Sequence, residues 1–576
     1  MSGDDEFSIR PGRIRSRGGR RALPIIVQAL AAAQRAGGHV SRRGRIVAPG
    51  RSTFGRGRVA SLRATHRLGH RSRQVIVKAR VVRRSGRASL AAHLNYLQRD
   101  GVTRDGERGV LFGPDADGLD RNEFAARCEN DRHHFRFIVS PEDAPAMGDL
   151  KGFTRELMTR MESDLGTRLD WRAVEHWNTD NPHVHIIVRG VGEDGQNLVI
   201  SRDYIGEGMR AVAGEIVTRE LGPRSDLEIR QSLERQVEAE RWTEIDRHLS
   251  RTMQRDGMID MAPEPGVRPD GDHVLRMGRL RKLERLGLAN EIAPGQWALA
   301  GDAQAALREL GERDDIIKRM HKAMTDRGID RGAASYVLEP DPAQPVIGRL
   351  VDRGLHDELT GKAYAIVDGI DGRTHHIQLP DIEATGDCKP GAIVELRRFE
   401  DRKGRQRVAL AVRSDMDLSA QVRAPGATWL DRRNLASDGR DLGGGFGTEV
   451  RAAMEARAEH LADEGLARRQ GQRIIFARGL LDTLRRRELD AAAKELSAEI
   501  GLPHAPSKVG EYVAGTVRQR LTLASGRFAM IDDGLGFQLV PWSPTLDRQI
   551  SKHISGVMRG DGGVDWSFGR GRGLGL

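Results

Sequence analysis

Cysteine, aromatic side chains and long apolar runs are all scarce in this chain. Of 576 residues only two are cysteine, Cys128 and Cys388, and neither has a CxxC partner, which excludes a disulfide scaffold and a cysteine zinc ribbon. Both read as buried thiols. No stretch approaches the roughly 18 to 20 consecutive apolar residues of a membrane helix, and the first residues, MSGDDEFSIR, hold no apolar signal core. The expectation is a cytoplasmic protein without membrane insertion. A GxxxxGK[ST] phosphate loop is also absent, which leaves no nucleotide-driven motor to assign. Tyrosine occurs only five times, so each phenol can be placed individually.

What is abundant is arginine. The first 75 residues hold 17 arginines, no lysine and only Asp4, Asp5 and Glu6 as acids, whereas the whole chain carries a formal charge of +11. Nearly all of the excess is therefore in this leader. Runs such as RPGRIRSRGGRR and SRRGRIVAPGRSTFGRGR are too rich in Arg, Gly and Ser to bury a core, and read as a flexible polycation for phosphate backbones or as a solubilising tail. The remaining length exceeds one ordinary core, so several domains are expected.

Beyond the leader, QVIVKARVV (74–82) and HHFRFIVSP (133–141) have the β-branched and aromatic content of strands, as do WRAVEHW and HVHIIVRG around the turn-rich NTDNP. GRASLAAHLNYLQRDG carries Leu90, His93, Leu94 and Leu97 at helical spacing, and two further amphipathic helices follow. This alternation predicts an α+β domain of antiparallel sheet with flanking helices over 74–225, after a flexible leader at 1–73. Two pairs of similar blocks follow. LERLGLANEIAPGQWALAGDAQAALREL (283–310) and LADEGLARRQGQRIIFARGLLDTL (461–484) share a helix, turn and strand order that resembles a winged helix, while LTGKAYAIVDG (359–369) and ASGRFAMIDDG (524–534) lie in runs of short strands resembling small β-barrels. The resulting division is a helical and winged-helix-like segment (226–335), a barrel-like segment (336–420) and a second winged-helix-like and β segment (421–576).

The densest chemistry lies in EHWNTDNPHVHIIVRG (175–190). Residues two apart on a strand share a face, so His183 and His185 project together while Val184, Ile186 and Val188 face the core. A turn over Asn178 to Pro182 folds the previous strand back and brings His176 to the pair. Three neutral imidazoles with open positions make a site for a divalent metal ion, suited to polarising a phosphoryl oxygen. Tyr96 and Tyr204 lie in the same α+β stretch; Tyr96, just before a Gly break, is the candidate nucleophile, because a metal-assisted phenol forms a stable, reversible phosphodiester. Arg279, Arg281, Lys282 and Arg285 form a basic helix that would meet DNA phosphates or lie as a solvated face.

HWNTDNPHVHIIVRG resembles the third motif of conjugative relaxases, the HUH-type mobilisation nucleases related to VirD2 and TraI, in which His-x-Asp-x-x-x-Pro-His-x-His-x-x-x-Asn recurs. His176, Pro182, His183 and His185 match; Asn178 and Arg189 stand where the family has Asp and Asn. HLNYLQRDG resembles the tyrosine motif, and the C-terminal GRFAMIDDGLGFQLVPW with VMRGDGGVDWSFGRGRG is similar to the DUF3363 region attached to many such relaxases. The resemblance implies an HUH-type sheet, a Mg2+ or Mn2+ ion on His176, His183 and His185, and attack by Tyr96 that leaves a 5′-phosphotyrosine at a transfer origin. It also implies single-stranded and duplex DNA substrates, accessory relaxosome proteins, a type IV coupling protein, and translocation of the protein with the strand into the recipient cell. Since Asn178 brings no charge and Glu175 points to the opposite face, Asp180 in the turn is assigned the carboxylate role at the rings. A rolling-circle replication initiator would use the same residues but would more often carry a helicase. A non-catalytic DNA-binding regulator would leave the histidines without a task.

Overall fold

Val75, Val77, Phe135, Phe137 and Val139 are spaced two apart on their strands, and that period turns one face of a sheet into a core. In the computed structural model the described residues are 39–40, 46–47, 56–57, 60–61, 71–83, 87–179, 181–262, 271–341, 344–400, 404–436, 441–471, 473–560 and 562–567. The fold is mixed α+β with several antiparallel sheets, and the chain divides into two units, residues 1–311 and 312–576.

In the first unit, β1 (Val75–Arg83), β2 (His133–Pro141), β3 (Trp171–His176) and β4 (His183–Arg189) form an antiparallel sheet in the order β1-β2-β4-β3. One face packs Phe135, Phe137, Val184, Ile186, Val188 and Trp171 against α3 (Leu150–Leu165) and α4 (Met209–Leu221). Asp149 caps α3 by accepting the Gly152 N–H, and Gly166 ends it in the left-handed conformation at φ 63°. The opposite face receives α1 (Arg87–Leu97) and α2 (Arg121–Arg127) through Leu90, Leu94, Leu97 and Phe124, packed on Val174 and Ile187. Each fully buried leucine contributes roughly 1.5–3 kcal/mol, so these three fix α1 on the sheet.

The downstream helices and sheets form a tandem repeat. The first copy has α5 (Asp226–Val237), α6 (Glu244–Asp256), β5 (Ile259–Asp260), α7 (Gly271–Arg285), the hairpin β6 (Ala289–Ala293) and β7 (Gln296–Leu299), and α8 (Ala303–Thr325). After α8 come β8 (Ile347–Asp357), β9 (Lys362–Gly369), β10 (Thr374–Leu379), β11 (Ile393–Glu400) and β12 (Gln406–Ser414). The second copy repeats the order with α9 (Leu418–Val422), α10 (Trp429–Ala436), α11 (Phe446–Asp463), the hairpin β13 (Ala467–Gln470) and β14 (Arg473–Phe476), and α12 (Leu480–Ile500). Its strands are β15 (Tyr512–Leu523), β16 (Gly526–Asp532), β17 (Phe537–Pro541), β18 (His553–Met558) and β19 (Val564–Ser567). The strand orders β10-β9-β8-β11-β12 and β17-β16-β15-β18-β19 are the same. Among the described residues the outer edge of β10 pairs in parallel with Tyr336–Val337, and that of β17 with His504.

Atomic detail supports the equivalence. Arg279 is fully buried, donating through Nε and Nη2 to Asp246 at 2.8 Å each and to the carbonyls of Val237, Ala239 and Arg241. Arg457 does the same with Asp431 at 2.8 and 3.0 Å and the carbonyls of Val422, Ala424 and Gly426. Each aspartate also accepts from a threonine three residues earlier, Thr243 or Thr428. Gly348 and Gly515 occupy matching bulged strands, where a Cβ would meet the Asp368 or Asp532 carbonyl. One consequence is a limit on truncation. A fragment of residues 1–260 would keep Asp246 buried without Arg279, and its downstream helices should be unprotected in hydrogen exchange, whereas one ending at 311 should be protected there.

Candidate active site

The antiparallel register of β3 and β4 places His176 opposite His183, with His185 opposite Val174 and therefore on the same face. All three are buried, at 0%, 8% and 3% exposed. Their nitrogens lie within 4.8 Å of one another, and the ring centroids are 4.5 to 5.4 Å apart. Main-chain oxygens orient two of the rings. His176 Nε2–H donates to the Leu97 carbonyl at 2.8 Å, which leaves Nδ1 as its lone-pair nitrogen. His183 Nδ1–H donates to the Asn181 carbonyl at 2.9 Å, which leaves Nε2 to face His185 Nε2 at 3.1 Å. Neutral nitrogen donors with their tautomers set in this way fit a divalent ion.

The Leu97 bond also positions Tyr96. The end of α1 is held at the end of β3 by His176 to Leu97, and the loop after it by the Trp177 N–H to the Val102 carbonyl at 2.7 Å, so the half-buried Tyr96 is carried to the histidine end of the sheet. The Arg99 guanidinium lies 4.5 Å over its ring. Tyr204 has a different environment. It is fully buried and donates to Asp164 at 2.8 Å, and burial followed by the Asp164 charge pushes its phenol well above the usual range. That environment removes Tyr204 as a nucleophile.

The remaining assignments fare unevenly. Asp180 lies outside the described residues, and the carbonyls of Leu97 and Asn181 fill the orienting role at two rings. Asn178 is exposed, and Glu175 is half-buried on the other face of β3. Arg189 makes a bidentate pair with the buried Asp131 at 2.7 and 3.1 Å, so its departure from the motif has a structural use. Of the basic helix, Arg279 is wholly internal and cannot meet phosphates, because Asp246 and three carbonyls enclose its guanidinium. Lys282 and Arg285 pair with Glu240 and Glu238, and only Arg281 of the four is exposed without such a pair among the described residues.

Sequence reasoning missed Arg136. By register it stands on the histidine face of β2, opposite Arg80 of β1 and Ile187 of β4, and it is 7% exposed. Its Nε donates to His134 Nε2 at 3.1 Å, and among the described residues it has no carboxylate partner. Burial, then the neighbouring Arg80, pulls its pKa down to about 10. Burial and Arg136 in turn push His134 to about 3. None of the strand residues on this face is acidic, whereas Lys78, Arg80, Arg136, Arg172 and Arg189 are basic. The signal was available in the period of two that links Arg136 to Ile138, which stands opposite His185. Because the folded pKa of His134 is below its unfolded value, the unfolded chain takes up the proton first as pH falls. The stability His134 contributes is present above about pH 6.5 and is lost progressively toward pH 3. His134→Gln should therefore shift the acid-unfolding midpoint to lower pH.

Comparison with known proteins gives two matches. Residues 118–220, which include the three histidines but not Tyr96, match the MobA/VirD2-like nuclease domain of relaxases. Residues 276–403 and 396–575, together more than half of the chain, match DUF3363, a family of proteins of unknown function. No curated protein and no solved structure matches.

Proposed function

We propose, for a chain that belongs to the DUF3363 family and carries a MobA/VirD2-like relaxase nuclease domain, that it nicks one DNA strand through a covalent tyrosine intermediate and then pilots that strand in conjugative transfer. The observation that carries this reading is three convergent histidines on a sheet face whose own strand residues include basic and no acidic side chains.

Tyr96 attacks the scissile phosphorus. The Tyr96 oxygen bonds to phosphorus, the bond to the 3′ oxygen breaks, the phenolic proton leaves to solvent, and the 3′ oxygen departs as a hydroxyl. A 5′-phosphotyrosine remains, and the reverse reaction rejoins the strand with no outside energy source. His176, His183 and His185 would hold the divalent ion, Mg2+ or Mn2+, which when bound supplies positive charge to the phosphate oxygens. Arg136 and Arg80 hold the strand on the same face, since a buried guanidinium without a carboxylate is matched by a phosphate. The alternation of helices and hairpins after residue 226 supports winged-helix-like modules that grip duplex DNA at the origin, with relaxosome proteins and a type IV coupling protein as partners. The leader adds charge for the same polyanion.

Two outcomes check the site. His183→Ala and His185→Ala should each weaken Mn2+ binding, measured by calorimetry, and lower nicking of an origin oligonucleotide in parallel; full nicking by either variant in chelator contradicts the metal assignment. Arg136→Met should leave the melting temperature unchanged or higher, while single-strand binding weakens at least about tenfold and its salt dependence flattens.

A further inference from the structure

The tandem repeat provides an internal reference for what this fold requires. In the second copy, α12 packs on its sheet through an apolar layer that includes Leu496, Leu539, Phe537 and Met530. Strand register identifies the first-copy counterparts. Asp368 pairs with Thr374 as Asp532 pairs with Phe537, and Tyr364 pairs with Gln378 as Phe528 pairs with Pro541, so His376 stands where Leu539 does. The helices are aligned by matching turns, Ala303 N–H to Ala300 and Leu480 N–H to Ala477, which puts Arg319 where the second copy has Leu496. Leu496, Leu539, Phe537 and Phe528 are thus Arg319, His376, Thr374 and Tyr364 in the first copy. Folding alone does not ask for that polarity.

These polar groups lie together. The Arg319 guanidinium sits 4.6 Å over the Tyr364 ring, Tyr364 stacks on His376 with centroids 5.6 Å apart, and His356 lies 5.6 Å from His376. Arg319 Nη1, His356 Nδ1, Thr374 Oγ1 and the Tyr336 hydroxyl are buried without a hydrogen-bond partner, and the buried His376 ring has the Leu338 backbone as a partner for no more than one of its two nitrogens. Such orphans are rare in folded proteins, and several in one place call for a ligand. Arg319 has no carboxylate partner among the described residues, and the nearby Asp352 is engaged by the Tyr364 hydroxyl at 2.6 Å. Burial, followed by Arg319 and His356, holds the His376 imidazole down to about 4, opposed by a hydrogen bond to the Leu338 backbone. His356 is shifted down for the same reasons, burial and then Arg319, with Glu312 and Asp357 opposing. Arg319 is the largest single charge acting on both rings. A cation would be repelled by Arg319, and an apolar ligand would leave every orphan group open; an oxyanion would satisfy the guanidinium, the hydroxyls and the ring N–H groups together. Arg319 and His356, both half-buried, lie on the open side of the cluster.

We propose that the cluster of Arg319, His356, Thr374 and His376 is a binding site for a phosphate-type oxyanion, either inorganic phosphate or a phosphodiester of a nucleic-acid strand. The second copy has lost or never acquired this site.

The test exchanges residues between the copies. Full-length Arg319→Leu/His376→Leu carries what the second copy holds at these positions, so its fold has a precedent within the same chain. Hydrogen exchange of the peptide spanning β10 is followed while inorganic phosphate, or a short single-stranded oligonucleotide, is titrated at constant ionic strength. The wild type should gain protection in β10 with at least one of the two, and the double variant should be more protected without ligand and gain nothing from either. A response to phosphate and oligonucleotide assigns the site to free anion and strand alike; a response to oligonucleotide alone assigns it to the phosphodiester. No response of the wild type to either, or an equal response of the variant, overturns the proposal. Should the double variant not fold, His376→Leu alone is judged by the same criteria.

Discussion

Tyr96→Phe should abolish covalent attachment to DNA while leaving the fold and non-covalent strand binding intact. The substitution removes one oxygen from a half-buried side chain, and the contacts that hold the end of α1 and the loop after it, His176 to Leu97 and Trp177 to Val102, are accepted by main-chain carbonyls. Neither depends on the hydroxyl. Loss of a nucleophile leaves no route to the phosphotyrosine, so cleavage should fall to the background of the uncatalysed assay rather than by a fixed factor. Tyr204 cannot substitute for it, since its hydroxyl is committed to Asp164 and its phenol is held protonated by burial. Binding of an uncleaved oligonucleotide, measured by anisotropy, should match the wild type. A Tyr96→Phe protein that still nicks would remove this residue from the mechanism.

The second large effect is on stability. Asp431→Ala should destabilise its module by about 3–5 kcal/mol, because it leaves the Arg457 guanidinium buried with only carbonyls to face it. Asp246→Ala should do the same to the first copy through Arg279. The bond inventory decides the size: each aspartate satisfies the arginine twice and also accepts from a threonine main-chain N–H and hydroxyl, so one truncation opens four bonds. Denaturant unfolding of each variant, with strand nicking followed in parallel, separates the consequences. Asp431→Ala should leave oligonucleotide nicking near wild type, because none of the site residues lies in the second copy. A change of less than about 1 kcal/mol in either variant would show that the arginine finds water or another partner.

How much of this was legible in the sequence depends on the kind of contact. The histidine triad could be read directly, since the period of two in β4 and the turn before it determine which rings meet. The helix α1 could also be read, from Leu90, Leu94 and Leu97. The basic helix was misread at Arg279, because four basic residues within 279–285 look alike until burial distinguishes them. Yet the sequence contained the necessary sign: Val-x-Ala-x-x-x-Thr-x-x-Asp occurs at 237–246 and again at 422–431, and it supplies the carbonyls and the capped aspartate of both arginine sites. Arg136 was missed because a lone arginine within a strand looks like a solvated edge residue, and only cross-strand register shows it beside Arg80 and inside the sheet face. The orienting groups for His176 and His183 could not be found by side-chain type at all, since they are main-chain oxygens, and every residue has one.

The most direct measurement is the identity of the residue that carries DNA after cleavage. Wild-type protein would be incubated with Mn2+ and a supercoiled plasmid bearing the intergenic DNA of its own genetic element, digested, and the peptide retaining a 5′ nucleotide sequenced by mass spectrometry. The account predicts a single adduct, on Tyr96, that disappears in chelator and in His185→Ala. An adduct on Tyr204 or any other residue, or cleavage that leaves free 5′ ends and no adduct, would contradict it.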